Sequence, residues 1–131
     1  MNRSVIHNVI IYLSGLVWLI NGLFCKVLNL VPRHQQIVER VLQIEEARAL
    51  TVIIGILEVL MTLWIFSKYK SGINVIVQMI AIGSMNIIEA FYAPELLLWG
   101  YWNSVFALLF LLILYYNRFV LGKQYYPNYT A

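Results

Sequence analysis

Four long apolar runs decide what this chain can fold into. They extend from about Val5 to Phe24, Ala49 to Ser67, Ile73 to Tyr92 and Leu96 to Phe119. Each holds roughly the 20 residues that carry a helix across a hydrocarbon core about 30 Å thick. Lipid offers the backbone no hydrogen-bond partner, so such a run must close its own bonds as a helix. A membrane strand would instead alternate apolar and polar residues over about ten positions, which these runs do not do. The expected fold is an all-α integral membrane protein, an antiparallel bundle of four transmembrane helices with residues 1–131 as one domain. Charge supports this. Only 11% of the residues are charged, against roughly 25% in a soluble domain, too few to cover a water-facing surface. A soluble enzyme, a disordered tail and a nucleic-acid-binding module are excluded; the lipid bilayer is the expected partner.

The connections give the orientation. Lys68 to Gly72 and Ala93 to Glu95 are short turns, and residues 122–131 form a polar, Tyr-rich tail. The long connection from Lys26 to Arg48 contains an amphipathic stretch, about 33–48. There Ile37, Val38, Val41, Leu42 and Ile44 share one face, while Glu39, Arg40, Gln43, Glu45 and Glu46 fill most of the rest. This is the pattern of a helix lying at the membrane interface between spans one and two. Arg3, Lys68, Lys70, Arg118 and Lys123 fall on one side of the membrane with no acid among them. Basic short segments stay inside, so both termini are expected to be cytoplasmic in a multi-pass inner-membrane protein. The first run is too long for the apolar part of a signal peptide and lacks a small-residue cleavage pattern; an uncleaved span is expected.

Acids inside spans are the costly residues. A charge at mid-bilayer costs at least about 2.5–3.5 kcal/mol on insertion scales, so an intramembrane acid is a functional-site candidate. There are two. Glu58 sits near the middle of span two, about 13 Å from its outer end at 1.5 Å per residue, and Glu89 lies one turn from the outer end of span three. Other polar residues form stripes. Ser14, Trp18, Asn21 and Cys25 share an arc of about 60° on span one, and Gln78, Asn86 and Glu89 one of about 80° on span three. Trp99, Trp102, Asn103 and Phe106 recur at helical spacing on span four. Turned inward, these stripes would meet as a polar pocket with Glu58 as its floor and His34 of the long connection at its top. The expected catalytic or proton-carrying residues are Glu58, Glu89 and His34. The expected ligand contacts are Trp18, Asn21, Asn86, Trp99, Trp102 and Asn103. A plainer account stands beside this one. Amides within spans commonly bond neighbouring helices at about 0.6 kcal/mol each, the Trp residues can form an interfacial belt, Lys26 can snorkel or pair with Glu89, and His34 can be a loop residue. His7, near the start of span one, shows no evident partner. With one cysteine, Cys25, and no Cys/His cluster at metal-ligand spacing, no metal or other cofactor is expected.

The run from Asn21 to Val38, with Gly55-Ile56-Leu57-Glu58, Met85-Asn86-Ile87-Ile88-Glu89 and Leu97 to Ser104, resembles the DoxX-like family of small four-helix bacterial membrane proteins. The resemblance covers about residues 10–120. The wider group takes its name from a subunit linked to a thiosulfate:quinone oxidoreductase, and other members are tied to redox-stress complexes. The resemblance therefore implies an accessory membrane subunit that binds a small hydrophobic or quinone-like ligand, with no nucleic acid involved and with a homo-oligomer or larger membrane complex left open. A looser likeness, of residue types alone, is to membrane sterol isomerases and meroterpenoid cyclases. It implies acid–base isomerisation or cyclisation of a lipid-soluble substrate by Glu58 and Glu89. A structural or chaperone-like partner protein is the remaining alternative.

Overall fold

The computed structural model describes residues 2–44, 47–96, 100 and 102–122, and every element among them is helical. Glu45, Glu46, Trp99 and the tail beyond Gly122 lie outside the described residues, and with them the end of the expected amphipathic stretch and one expected ligand contact. Helix α1 (Arg3–Leu19) continues unbroken as a π-helix (Ile20–Val27); α2 is Arg33–Leu42, α3 Arg48–Ser67 and α4 Ser71–Tyr92. A 3-10 turn (Pro94–Leu96) precedes α5 (Trp102–Tyr115), which ends in a π-helical turn (Tyr116–Leu121). Four helices among the described residues are long and apolar enough to cross a membrane: Arg3–Val27, Arg48–Ser67, Ser71–Tyr92 and Trp102–Leu121. Their polarity is inverted relative to a soluble domain. Leu57, Leu63, Ile80 and Phe91 are exposed, whereas Thr51, Glu58, Thr62, Asn74, Gln78 and Asn117 are buried.

Helix ends differ from the apolar runs for local reasons. The first helix outlasts its run by three residues, to Val27, because its backbone winds into i→i+5 bonds; Leu28 N–H donates to the Leu23 carbonyl at 2.9 Å. The guanidinium of Arg48 then donates to the carbonyls of Lys26 and Val27, supplying the cation that free carbonyls at a helix C-terminus favour. The fourth apolar run begins at Leu96, but its α-helix begins only at Trp102, after Pro94 has opened a 3-10 turn and Gly100 has taken a left-handed φ of 58°. Helix α2 stops at Leu42, where Gln43 turns left-handed at φ 56°, short of the Arg48 that the amphipathic pattern suggests.

Small residues fix how the helices meet. Gly22 and Gly55 cross so closely that a Cβ on Gly55 would stand 2.6 Å from the Gly22 carbonyl oxygen and 2.9 Å from Lys26 Cβ. Thr62 Oγ1 donates to the Gly15 carbonyl at 3.2 Å further along the same pair. Close approach of this kind is how helices associate where lipid removes the hydrophobic drive. Gly55→Val should therefore force the first helix away from α3, at about 1–3 kcal/mol for overpacking. Gly83→Ala, where a Cβ would meet nothing within 4 Å, should leave detergent-resistant folding unchanged. Thermal unfolding of the two variants in one detergent checks the contrast.

The last span docks beside the start of the first. His7 is buried, with Nδ1 shared between the backbone and side-chain oxygens of Asn117, both at 3.0 Å. Asn117 Nδ2 returns a bond to the His7 carbonyl at 3.3 Å, and Arg118 Nε donates to Ser71 at 2.8 Å. The sequence suggests no partner for His7. The structure supplies one 110 residues away.

Candidate functional site

The first helix and α3 form one closely packed pair, and α4 with α5 another. Between them lies a cavity of about 360 Å³, within the size range of small-molecule sites. The first helix contributes Val17, Trp18, Asn21 and Lys26, and α2 contributes Arg33, His34 and Ile37. Helix α3 gives Glu58, α4 gives Ile82, Met85, Asn86 and Glu89, and α5 gives Asn103, Phe106, Ala107 and Phe110. Charged and amide groups gather toward the α2 end, and apolar side chains line the remainder.

Lys26 and Glu58 set the electrostatics. Lys26 Nζ lies 3.0 Å from Glu58 Oε1 and 3.1 Å from Oε2, with each side chain only 6% exposed. Two charges this far from water persist because each is the other's partner. Their meeting depends on the π-helical stretch. Bonding at i→i+5 turns the chain less per residue, so Lys26 is carried inward beside Cys25; both are buried. Such insertions occur often at functional sites.

The amides are held rather than loose. Trp18 Nε1 donates to Gln78 Oε1 at 2.9 Å, and Gln78 Nε2 donates to Asn74 Oδ1 at 2.7 Å, which fixes the indole against the cavity wall. Asn103 Nδ2 donates to Asn86 Oδ1 at 2.9 Å, and Asn86 Nδ2 donates to the Ile82 carbonyl at 2.9 Å. Glu89 faces the same space with no hydrogen bond or ion pair among the described residues. Across the cavity, His34 is pushed down to about 4 by burial first and then by the positive charges of Lys26 and Arg33. Its imidazole is neutral at pH 7 and can both donate and accept.

The sign of a pH effect follows. An unfolded histidine titrates near 6.5, so between about 6.5 and 4 the unfolded chain binds a proton that the folded protein does not. Stability from this group is complete above about 6.5 and is lost as pH falls toward 4. Thermal unfolding in detergent should show that decline, and His34→Gln should flatten it.

Seven of the expected site residues line this one cavity: Glu58, Glu89, His34, Trp18, Asn21, Asn86 and Asn103. Trp102 does not; it opens α5 and is 65% exposed. Trp99 is outside the described residues. The inward face of α5 is Asn103, Phe106, Ala107 and Phe110 (i, i+3, i+4, i+7), which leaves Trp102 beside the arc. Lys26 as the partner of Glu58, and Arg33, were not legible as site residues, nor were the apolar lining positions other than Phe106. Among the described residues, no three His, Cys, Asp or Glu side chains gather so as to hold a metal ion.

Both span carboxylates and five residues of the Asn21 to Val38 segment thus line one cavity. The DoxX-like family matches the chain over residues 15–116. The chain belongs to the DoxX-like family. With its four apolar helices, this DoxX-like protein is a multi-pass membrane protein in contact with the lipid bilayer. Neither a curated protein nor a solved structure matches it.

Proposed function

We propose that this DoxX-like protein binds a small lipid-soluble, quinone-like molecule, with the ligand's polar head among Lys26, Glu58, His34, Asn86 and Asn103. The observation that carries this reading is the cavity itself, polar toward α2 and apolar elsewhere. Its formal charges offset: Lys26 and Arg33 against Glu58 and Glu89. A balanced site favours a neutral head with hydrogen-bonding oxygens over an anionic or cationic one, because a net-charged head would leave one site charge uncompensated. The wider proposal is an antiparallel four-span bundle of the inner membrane with cytoplasmic termini, α2 lying at the outer interface and the protein serving a larger membrane complex as an accessory subunit.

A second reading, acid–base conversion of a lipid-soluble substrate, is favoured by two carboxylates and an imidazole facing one space. In that case Glu89 is the better proton carrier. Both oxygens of Glu58 are engaged by the Lys26 ammonium, whereas Glu89 has no hydrogen bond or ion pair among the described residues and faces the space a bound molecule would fill. The deciding experiment is native mass spectrometry of the purified protein. The binding reading expects a lipid-soluble molecule that stays bound and is lost when the cavity is filled by Ala107→Phe. Protein that never carries one, and never takes up an added benzoquinone, would sink both readings.

A further inference from the structure

The cavity has a roof and a side. Helix α2 covers it with Arg33, His34 and the buried Ile37. An ion pair between Arg40 of α2 and Glu95, at the turn after α4, ties that roof down. On the flank the arrangement differs. The first helix packs on α3 along its length, but meets the last span chiefly through the closing turn Tyr116–Leu121 rather than through α5. On the two sides of this α1–α5 seam, Val17 of the first helix and Phe106 of α5 both line the cavity and are 42% and 49% exposed. The surface beside them is apolar: Leu16, Ile20, Val105 and Leu109 are all exposed. Water gains nothing at such a rim, and lipid does.

We infer that the ligand enters and leaves sideways, from the hydrocarbon of the membrane, through the α1–α5 seam at Val17 and Phe106. This rests on the cavity being a binding site for a lipid-soluble molecule. The cavity's volume, about 360 Å³, lies near the lower end of ligand sites, enough for a ring and a short attachment. A longer tail stays in the seam and continues into lipid, while the head lies beneath α2. The occupant of the seam is therefore the ligand's own apolar tail, and the mouth selects molecules that carry one.

The test uses the full chain in phosphatidylcholine nanodiscs, with Trp64, Trp99 and Trp102 replaced by Phe so that Trp18 alone reports from the cavity wall. The probe is a decyl-substituted benzoquinone, which quenches indole fluorescence on contact; rapid mixing gives the rate. Val17→Phe, which narrows the mouth, should slow quenching roughly tenfold, and Phe106→Ala, which widens it, should speed it. Arg40→Ala, which unties the roof, should leave the rate unchanged. If Arg40→Ala accelerates quenching while both mouth variants match the parent, entry is from above, and the side portal is overturned with the binding site intact. If the parent is quenched no more than its Ala107→Phe derivative, the cavity takes no quinone and the binding reading fails together with the portal. Phe106→Ala keeps the test open should Val17→Phe not fold.

Discussion

Lys26→Met should lower the stability of the protein by about 3–5 kcal/mol, the loss expected when one partner of a buried ion pair is removed and the other charge stays behind. Methionine keeps the length and apolar stem of lysine, so packing against Gly55 changes little and the effect reports on charge. Glu58 is only 5% exposed, and without the ammonium its carboxylate stays buried with no hydrogen-bond or ion-pair partner among the described residues. The double variant Lys26→Met/Glu58→Met should recover most of the loss, because an apolar pair of similar volume removes both desolvation costs at once. Unfolding by titrated SDS, compared across wild type, both single variants and the double, closes the cycle. Equal stability of Lys26→Met and wild type would show that the pair does not hold the site. A double variant that is stable yet no longer takes up quinone would separate the role of these charges in binding from their role in folding.

How much of this was legible beforehand depended on the kind of signal. Hydropathy marks the spans because lipid enforces it on every residue of a crossing helix, and Glu58 stands out because an acid there is expensive. Periodicity was enough to turn Trp18, Asn21, Asn86, Glu89 and Asn103 toward one another. Burial of Lys26 was not readable. At ideal α-helical spacing it falls away from the Trp18–Cys25 stripe, and only the π-helical stretch turns it inward; that stretch is stabilised by Arg48, 22 residues on, an interaction with no local signature. The same limit applies to His7, whose partner Asn117 is brought to it by the complete fold. Trp102 shows the opposite case. Its spacing from Phe106 suits an inward stripe, yet the first turn of α5 directs Asn103 inward and leaves Trp102 exposed, since adjacent residues differ by about 100° around a helix.

The roles of the two carboxylates separate binding from catalysis. A binder needs Glu58 as a fixed counter-charge for Lys26 and uses Glu89 as one polar contact among several, so Glu89→Gln should retain the ligand. An acid–base enzyme needs Glu89 to exchange a proton with the bound molecule, and the same variant would hold unconverted substrate. One substitution thus distinguishes them, provided that the occupant is identified first.

Ala107→Phe should remove that occupant while leaving the fold in place. Ala107 lies one helical turn beyond Asn103 on the inward face of α5 and lines the cavity between the polar end and Phe110. A phenyl ring there occupies the space assigned to the ligand's ring. Filling a void commonly adds about 0.5–2 kcal/mol of stability, so the variant should unfold no more readily than wild type stripped of its ligand. Bound ligand would stabilise the wild type by about 2.7 kcal/mol at a hundredfold excess over Kd; adding benzoquinone should therefore raise the unfolding midpoint of wild type and leave that of the variant where it was. Native mass spectra should show the co-purifying molecule reduced by more than roughly tenfold, which corresponds to about 1.4 kcal/mol of lost affinity. Retention of the ligand by a folded Ala107→Phe protein would move the binding site out of this cavity. Loss of the ligand from a protein whose intrinsic stability is kept or raised is the result expected when the molecule lies where the ring now does.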